Sequence, residues 1–176
     1  MCYILYKKKA NNSNIDLEVE RLKKEHRVNK DGTGIMYRYD GKEWEFTKFL
    51  GADNNINNII DKYNQVCEKN YDEVIVHLRY ATSGDKSYDT THPIIGENNK
   101  YVFHNGVIRS LEFDNKSDTQ NIGRFYDKFM SISPEFWDNL IVNNKVIICE
   151  NNKKTILYND YLGNWINKDL WESRPN

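Results

Sequence analysis

The sequence predicts an α+β chain whose strands and helices pack in layers, and three observations carry that expectation. Runs of apolar residues with strand character recur along the chain. Helical stretches with apolar stripes separate them. No internal repeat, linker or low-complexity tract divides the 176 residues, so positions 1–176 read as one domain.

Taken in order, Cys2–Tyr6 reads as a short buried strand and Asp16–His26 as a charged surface helix that ends before the turn residues Asn29–Gly34. Gly34–Tyr39 and Lys42–Phe49 read as a hairpin across Asp40-Gly41, a dipeptide suited to a tight turn. Asp53 is placed to cap a helix on which Ile56, Ile59, Ile60, Tyr63 and Cys67 recur at helical spacing. Glu73–Tyr80 is the clearest central strand, with Val74, Val76 and Leu78 on one face and Ile75, His77 and Arg79 on the other. A loop through Pro93 leads to strands at Tyr101–His104 and Val107–Leu111. Ser117 opens a helix through a Ser117-x-x-Gln120 capping box, with Ile122, Phe125, Tyr126 and Phe129 as its stripe. Ser133-Pro134 starts a short helix. Strands at Val146–Glu150 and Thr155–Tyr158 and a tail bearing tryptophans complete the chain.

Composition narrows the function. Twenty-five basic against 26 acidic residues, a net charge of -1, argue against a protein built to coat nucleic acid or an anionic membrane. No apolar run reaches the roughly 18 residues of a spanning helix. The opening apolar run is too short for a signal peptide. Three cysteines do not make a disulfide framework, so the expected home is the reducing cytoplasm. The wealth of Asn, Ile, Lys and Tyr is what AT-rich coding produces, and points to a low-GC bacterium or to a phage or virus working in a host cytoplasm. The four histidines lack metal-ligand spacing and no paired-cysteine motif exists, so neither metal nor cofactor is expected.

Several short motifs bear chemistry, each with a plain structural alternative. Once Met1 is removed, Cys2 carries a thiol and a free α-amine that can act as its base; otherwise Cys2 is a small buried hydrophobe. Arg79, at the end of the central strand in His77-Leu78-Arg79-Tyr80-Ala81-Thr82-Ser83-Gly84, either grips a carboxylate with two parallel bonds or forms a strand-end salt bridge. His104-Asn105-Gly106-Val107 is either a hairpin turn or an oxyanion hole built from the Asn105 amide and the Gly106 N–H. Asp118 is either a helix-start acid or the receiver of a substrate ammonium. Asp31-Gly32-Thr33-Gly34 is a glycine-rich turn or a place where backbone approaches a ligand.

The order of these motifs is more specific than any one of them. Met1-Cys2, Asp31-Gly32-Thr33-Gly34-Ile35, His77-x-Arg79-Tyr80-Ala81-Thr82-Ser83-Gly84, His92-Pro93, His104-Asn105-Gly106 and Ser117-Asp118-Thr119 together resemble the class II glutamine amidotransferase domain, from Cys2 to about Phe129. The resemblance implies the four-layer αββα sandwich of the N-terminal nucleophile hydrolases. It implies Cys2 as nucleophile, Asn105 and Gly106 as oxyanion donors, Arg79 with Tyr80 and Thr82 on the substrate carboxylate, and Asp118 on its ammonium. His92 and His104 stand as supporting residues. The implied substrate is glutamine or a related γ-glutamyl amide. Hydrolysis would pass through a γ-glutamyl thioester and release ammonia to a separate synthetase or acceptor subunit, because no acceptor domain follows in this chain.

Tyr3 departs from the glycine usual after the nucleophile, and Gln120 stands where glutamate is common. These departures motivate one alternative of another class, a catalytically silent amidotransferase-fold protein that binds a protein or small ligand.

Overall fold

A computed structural model describes residues 2–9, 14–69, 71–82 and 85–174. Two antiparallel sheets form its centre. The larger contains β1 (Tyr3–Lys8), β2 (Thr33–Tyr39), β3 (Glu45–Phe49), β4 (Tyr71–Leu78), β9 (Asn164–Asn167) and β10 (Leu170–Glu172), in the order β3-β2-β4-β1-β10-β9. The smaller runs β5-β6-β7-β8, from β5 (Ile94–Ile95), β6 (Lys100–Asn105), β7 (Lys145–Glu150) and β8 (Ile156–Tyr158).

Side-chain alternation along the strands creates the layers. On the larger sheet, Tyr3, Leu5, Ile35, Val74, Val76 and Leu78 pack outward against α1 (Ile15–His26) and α2 (Ile56–Glu68), through Leu22, Ile59, Tyr63 and Val66. Their neighbours Ile4, Tyr6, Met36 and Ile75 face the other way, meeting Phe103, Ile147 and Cys149 of the smaller sheet. Val102, Val146 and Ile148 then cover α3 (Asp118–Ile132) and α4 (Pro134–Leu140) through Ile122, Tyr126 and Trp137. Helices, sheet, sheet and helices make the αββα order that the resemblance implied. Among the described residues no helix is long and apolar enough to cross a membrane.

Several elements differ from the sequence reading for identifiable reasons. Val107–Leu111 is not a strand: it is loop ending in a 3₁₀ turn at Arg109–Leu111. Its apolar residues Ile108 and Leu111 are buried against α3, and the Ile108 N–H goes to the Asp118 carboxylate rather than to a ladder. With no strand there, Asn105-Gly106 is not a hairpin turn, and β6 pairs with β5 and β7 instead. The cap of α2 is Asn55, whose side chain accepts from the Asn58 N–H at 3.0 Å. Asp53 lies one turn earlier, in the 3₁₀ turn Gly51–Asp53.

β1 continues past Tyr6 because Lys7, only 1% exposed, is ion-paired at 2.5 Å with Glu18 of α1, which also accepts from the Tyr63 hydroxyl. A lone buried ammonium would be costly; a paired and hydrogen-bonded one is tolerated. The Trp-bearing tail is no appendage. Its residues Leu170–Glu172 pair directly with β1, with Glu172 opposite Leu5. Asp40-Gly41 does turn tightly, with φ of 53° and 63° at the two residues.

Candidate active site

Four separate stretches of chain converge at one end of the sheet pair. Cys2 precedes β1, Arg79–Thr82 follows β4, Asn105-Gly106 ends β6, and Asp118 begins α3. A cavity of about 40 Å³ is lined by Cys2, Arg79, Tyr80, Thr82, His92, His104, Gly106 and Asp118, together with Ala81, Thr90, Ser117 and Thr119. Of the residues to which the resemblance gave a catalytic, substrate-binding or supporting role, Asn105 is the one outside that lining. Ser83 and Gly84 of the central motif, and Met1, lie outside the described residues. A second cavity of about 700 Å³ adjoins the first, with Thr90 and Ser117 common to both.

The Cys2 thiol lies 3.4 Å from both the carbonyl oxygen and the N–H of Tyr80, able to donate to one and accept from the other. Burial raises its pKa, more than the Tyr80 N–H and the nearby positive charges lower it. A neutral thiol at pH 7 needs a base before it can attack. Tyr3 does not crowd the site, since it points to the helix side and donates to Glu172 at 2.9 Å.

Arg79 is 5% exposed and held by its backbone, its N–H on Gly32 O at 2.8 Å and its carbonyl accepting from Asp31 N–H at 3.0 Å. Burial lowers its pKa, although a guanidinium keeps its charge under all ordinary conditions. Asp31 also accepts from the Ala81 N–H at 2.8 Å, which fixes the loop after Arg79. The glycines of Asp31-Gly32-Thr33-Gly34 serve packing here: a Cβ on Gly34 would lie 1.7 Å from the His92 carbonyl oxygen.

Asp118 sits at the first position of α3, behind a complete Ser117/Gln120 capping box. Its Oδ1 accepts from the Thr119 N–H at 2.7 Å and its Oδ2 from the Ile108 N–H at 2.9 Å. Burial pushes its pKa up, but His104 and these two N–H groups outweigh burial and hold the carboxyl below the usual range. An ionised acid with lone pairs to spare therefore faces the cavity.

His104 is fixed by Asn144, a residue to which the sequence reading assigns no role. The Asn144 Oδ1, which can only accept, lies 2.9 Å from His104 Nε2, so that nitrogen carries a proton. Nδ1 lies 3.0 Å from the hydroxyl of Thr119, which itself donates to Asp118 Oδ1 at 3.2 Å. Asn144 also packs under Gly106, where φ is 153° and a Cβ would fall 1.9 Å from Asn144 Oδ1. No side chain other than hydrogen fits.

Asn105 spends both carboxamide hydrogens nearby. Its Nδ2 donates to the Cys2 carbonyl oxygen at 2.8 Å and to the Ser173 hydroxyl at 2.7 Å. The sequence reading assigns no role to Ser173, which lies in the tail.

Beside the cavity, His77 and His92 lie with ring centroids 3.9 Å apart and planes tilted by 42°, between the sheets and against Phe103. Burial, then Arg79, pushes His77 down to about 3, and burial drives His92 well below its ordinary value. Both rings are neutral at pH 7. A histidine whose folded pKa lies below its unfolded one binds its proton more readily when unfolded. Stability is therefore complete above about pH 6.5 and is lost as pH falls towards the folded pKa. Each ring contributes a slope of up to about 1.4 kcal/mol per pH unit. We expect the urea midpoint to drop between pH 7 and 5.5, with His77→Phe, which keeps an aromatic stack, removing about one ring's share of the slope. An unchanged slope in that variant would mean His77 is charged in the fold.

Comparison with known proteins gives the fold a place. No family model matches the chain. A curated relative, the probable glutamine–fructose-6-phosphate aminotransferase (isomerizing) of Acanthamoeba polyphaga mimivirus, is 29% identical over 104 residues, 58% of this chain and 17% of that protein. Two solved structures cover 98% of this chain. One is glutamine phosphoribosylpyrophosphate amidotransferase from B. subtilis complexed with ADP and GMP, at 17% identity and a TM-score of 0.56. The other is an allosteric regulatory enzyme of purine biosynthesis, at 16% identity and a TM-score of 0.57. The chain spans 41% of each of those solved chains. By architecture and likeness together, its fold is the four-layer αββα sandwich of class II glutamine amidotransferase domains, of the N-terminal nucleophile hydrolase type.

Proposed function

We propose that this domain hydrolyses the side-chain amide of glutamine or a related γ-glutamyl amide. One observation carries the reading: Cys2, Arg79, Gly106 and Asp118, which are far apart in sequence, line a single cavity. With Met1 removed, the Cys2 α-amine takes the thiol proton as Sγ bonds to the carboxamide carbon. The carbonyl oxygen becomes an oxyanion held by the Gly106 N–H and an N–H of Asn105, the hydrogen now on the Cys2 carbonyl being the one transferred. The C–N bond then breaks, the proton passes to the departing nitrogen, and ammonia leaves. Water cleaves the γ-glutamyl thioester, giving glutamate and restoring the thiol. Loss of a single oxyanion donor typically costs about 10²–10³ in rate.

Arg79 binds the α-carboxylate beside Tyr80 and Thr82 at the cavity mouth, and Asp118 binds the α-ammonium. His104 and His92 support these groups. The ammonia goes to an acceptor subunit or domain. The free thiols Cys2, Cys67 and Cys149 suit a reducing cytoplasm.

The reading is tested by ammonia release from L-glutamine. Arg79→Lys keeps the charge but loses the two-pronged geometry. Hydrogen bonds to charged groups contribute about 1.5–3 kcal/mol, so kcat/KM should fall about ten- to a hundredfold. A substrate lacking the α-carboxylate should show little further loss in that variant. Equal losses on both substrates would make Arg79 structural.

A further inference from the structure

We infer that Ser173 is a positioning residue for the oxyanion side of this site, so that the last strand completes the catalytic apparatus. The inference rests on the hydrolytic reading above. Ser173 is 1% exposed and follows β10 directly. Two bonds clamp it to the strand that carries the nucleophile: its N–H donates to the Ile4 carbonyl at 2.9 Å, and its Oγ accepts from the Ile4 N–H at 2.9 Å. The same Oγ accepts from Asn105 Nδ2 at 2.7 Å.

The geometry of the Asn105 carboxamide gives this bond its weight. Asn105 Oδ1 is buried and makes no hydrogen bond among the described residues, so the two Nδ2 hydrogens set the orientation of the group. One lies on the Cys2 carbonyl at 2.8 Å, beside the nucleophile, and is the hydrogen the reaction would borrow. The other lies on Ser173. Only the Ser173 bond can stay in place while the first hydrogen moves to the substrate. It fixes the carboxamide plane and keeps the second N–H aimed at Cys2. Glu172 holds the tail in register, accepting from Tyr3 at 2.9 Å and pairing with Arg21 at 2.8 Å.

The experiment uses the full chain with its native N-terminus confirmed by intact mass. Ser173→Ala removes the acceptor and leaves the backbone pairing. Catalytic groups displaced by even about an ångström lose on the order of a hundredfold, so kcat for glutamine should fall about ten- to a hundredfold, with KM changed by less than about twofold. In an Asn105→Ala background the same substitution should cost no further kcat, because its target is gone. Leu170→Val, which loosens the same strand without touching the carboxamide, should lower Tm and spare kcat. Equal kcat losses in both backgrounds, or a KM that follows Tm, would overturn the assignment.

A second measurement does not depend on turnover. Solvent exchange of the Asn105 side-chain amide protons, followed by NMR, should quicken in Ser173→Ala and not in Leu170→Val. Unchanged exchange would overturn the inference even in an active enzyme. Absence of any amide hydrolysis by the unaltered chain would instead defeat the functional reading, and the exchange result would still decide whether Ser173 holds Asn105.

Discussion

Cys2→Ala is expected to abolish ammonia release from glutamine while leaving Tm nearly unchanged. The thiol is the only group in the proposed sequence of steps that bonds to substrate, so nothing remains to form the thioester. Its structural role is small: it lies before β1 and is partly exposed. A glutamine analogue with an electrophilic carbon in place of the amide should label Cys2 and spare the other two thiols. Burial pushes Cys67 up to about 11, and Cys149 is raised further still by complete burial between the sheets. Their thiolates are scarce at neutral pH, and the Cys149 sulfur is buried as well. Peptide mapping by mass spectrometry reads the outcome. Equal labelling of all three cysteines would remove the assignment of the nucleophile.

Blocking the α-amine of Cys2 should be as damaging as removing its sulfur. An N-terminal extension that resists cleavage turns that nitrogen into an amide, which cannot accept the thiol proton. The raised pKa of the thiol makes this loss severe, because little thiolate forms unaided. Such a chain should fold with normal Tm, bind glutamine and release no ammonia. In the unblocked chain kcat/KM should rise with pH as the amine loses its proton, near its ordinary pKa of about 7.7–8.0. Full turnover by a chain whose extension is verified intact would exclude the amine as the base.

The residues that bear chemistry were legible because chemistry constrains residue type and order. Arg79 and Asp118 are singled out by the order of the motifs around them; taken alone, the guanidinium reads as well as a strand-end salt bridge and the carboxylate as a helix-start acid. Layering was legible too: alternation in β4 alone assigns Val74, Val76 and Leu78 to one face and Ile75 and His77 to the other, and both faces are covered. The errors fell where a local pattern has two physical solutions. An apolar run such as Val107–Leu111 buries equally well as a strand or as a loop over a helix, and the Asp118 carboxylate at the Ile108 N–H settled it. The strand read from Cys2 stops at Tyr6, and Lys7 joins it because Glu18 arrives from α1 to pair its ammonium.

The supporting shell was beyond sequence reasoning altogether. Asn144 and Ser173 are ordinary residue types to which the sequence reading assigns no role, 40 and 68 positions from the His104 and Asn105 that they hold. Periodicity and motif order report on a chain's own neighbourhood, through side-chain direction and backbone preference. A hydrogen bond between segments so distant exists only after two sheets have packed and brought β10 beside β1, which is why the candidate site residues could be singled out in one dimension and the residues that hydrogen-bond to them could not.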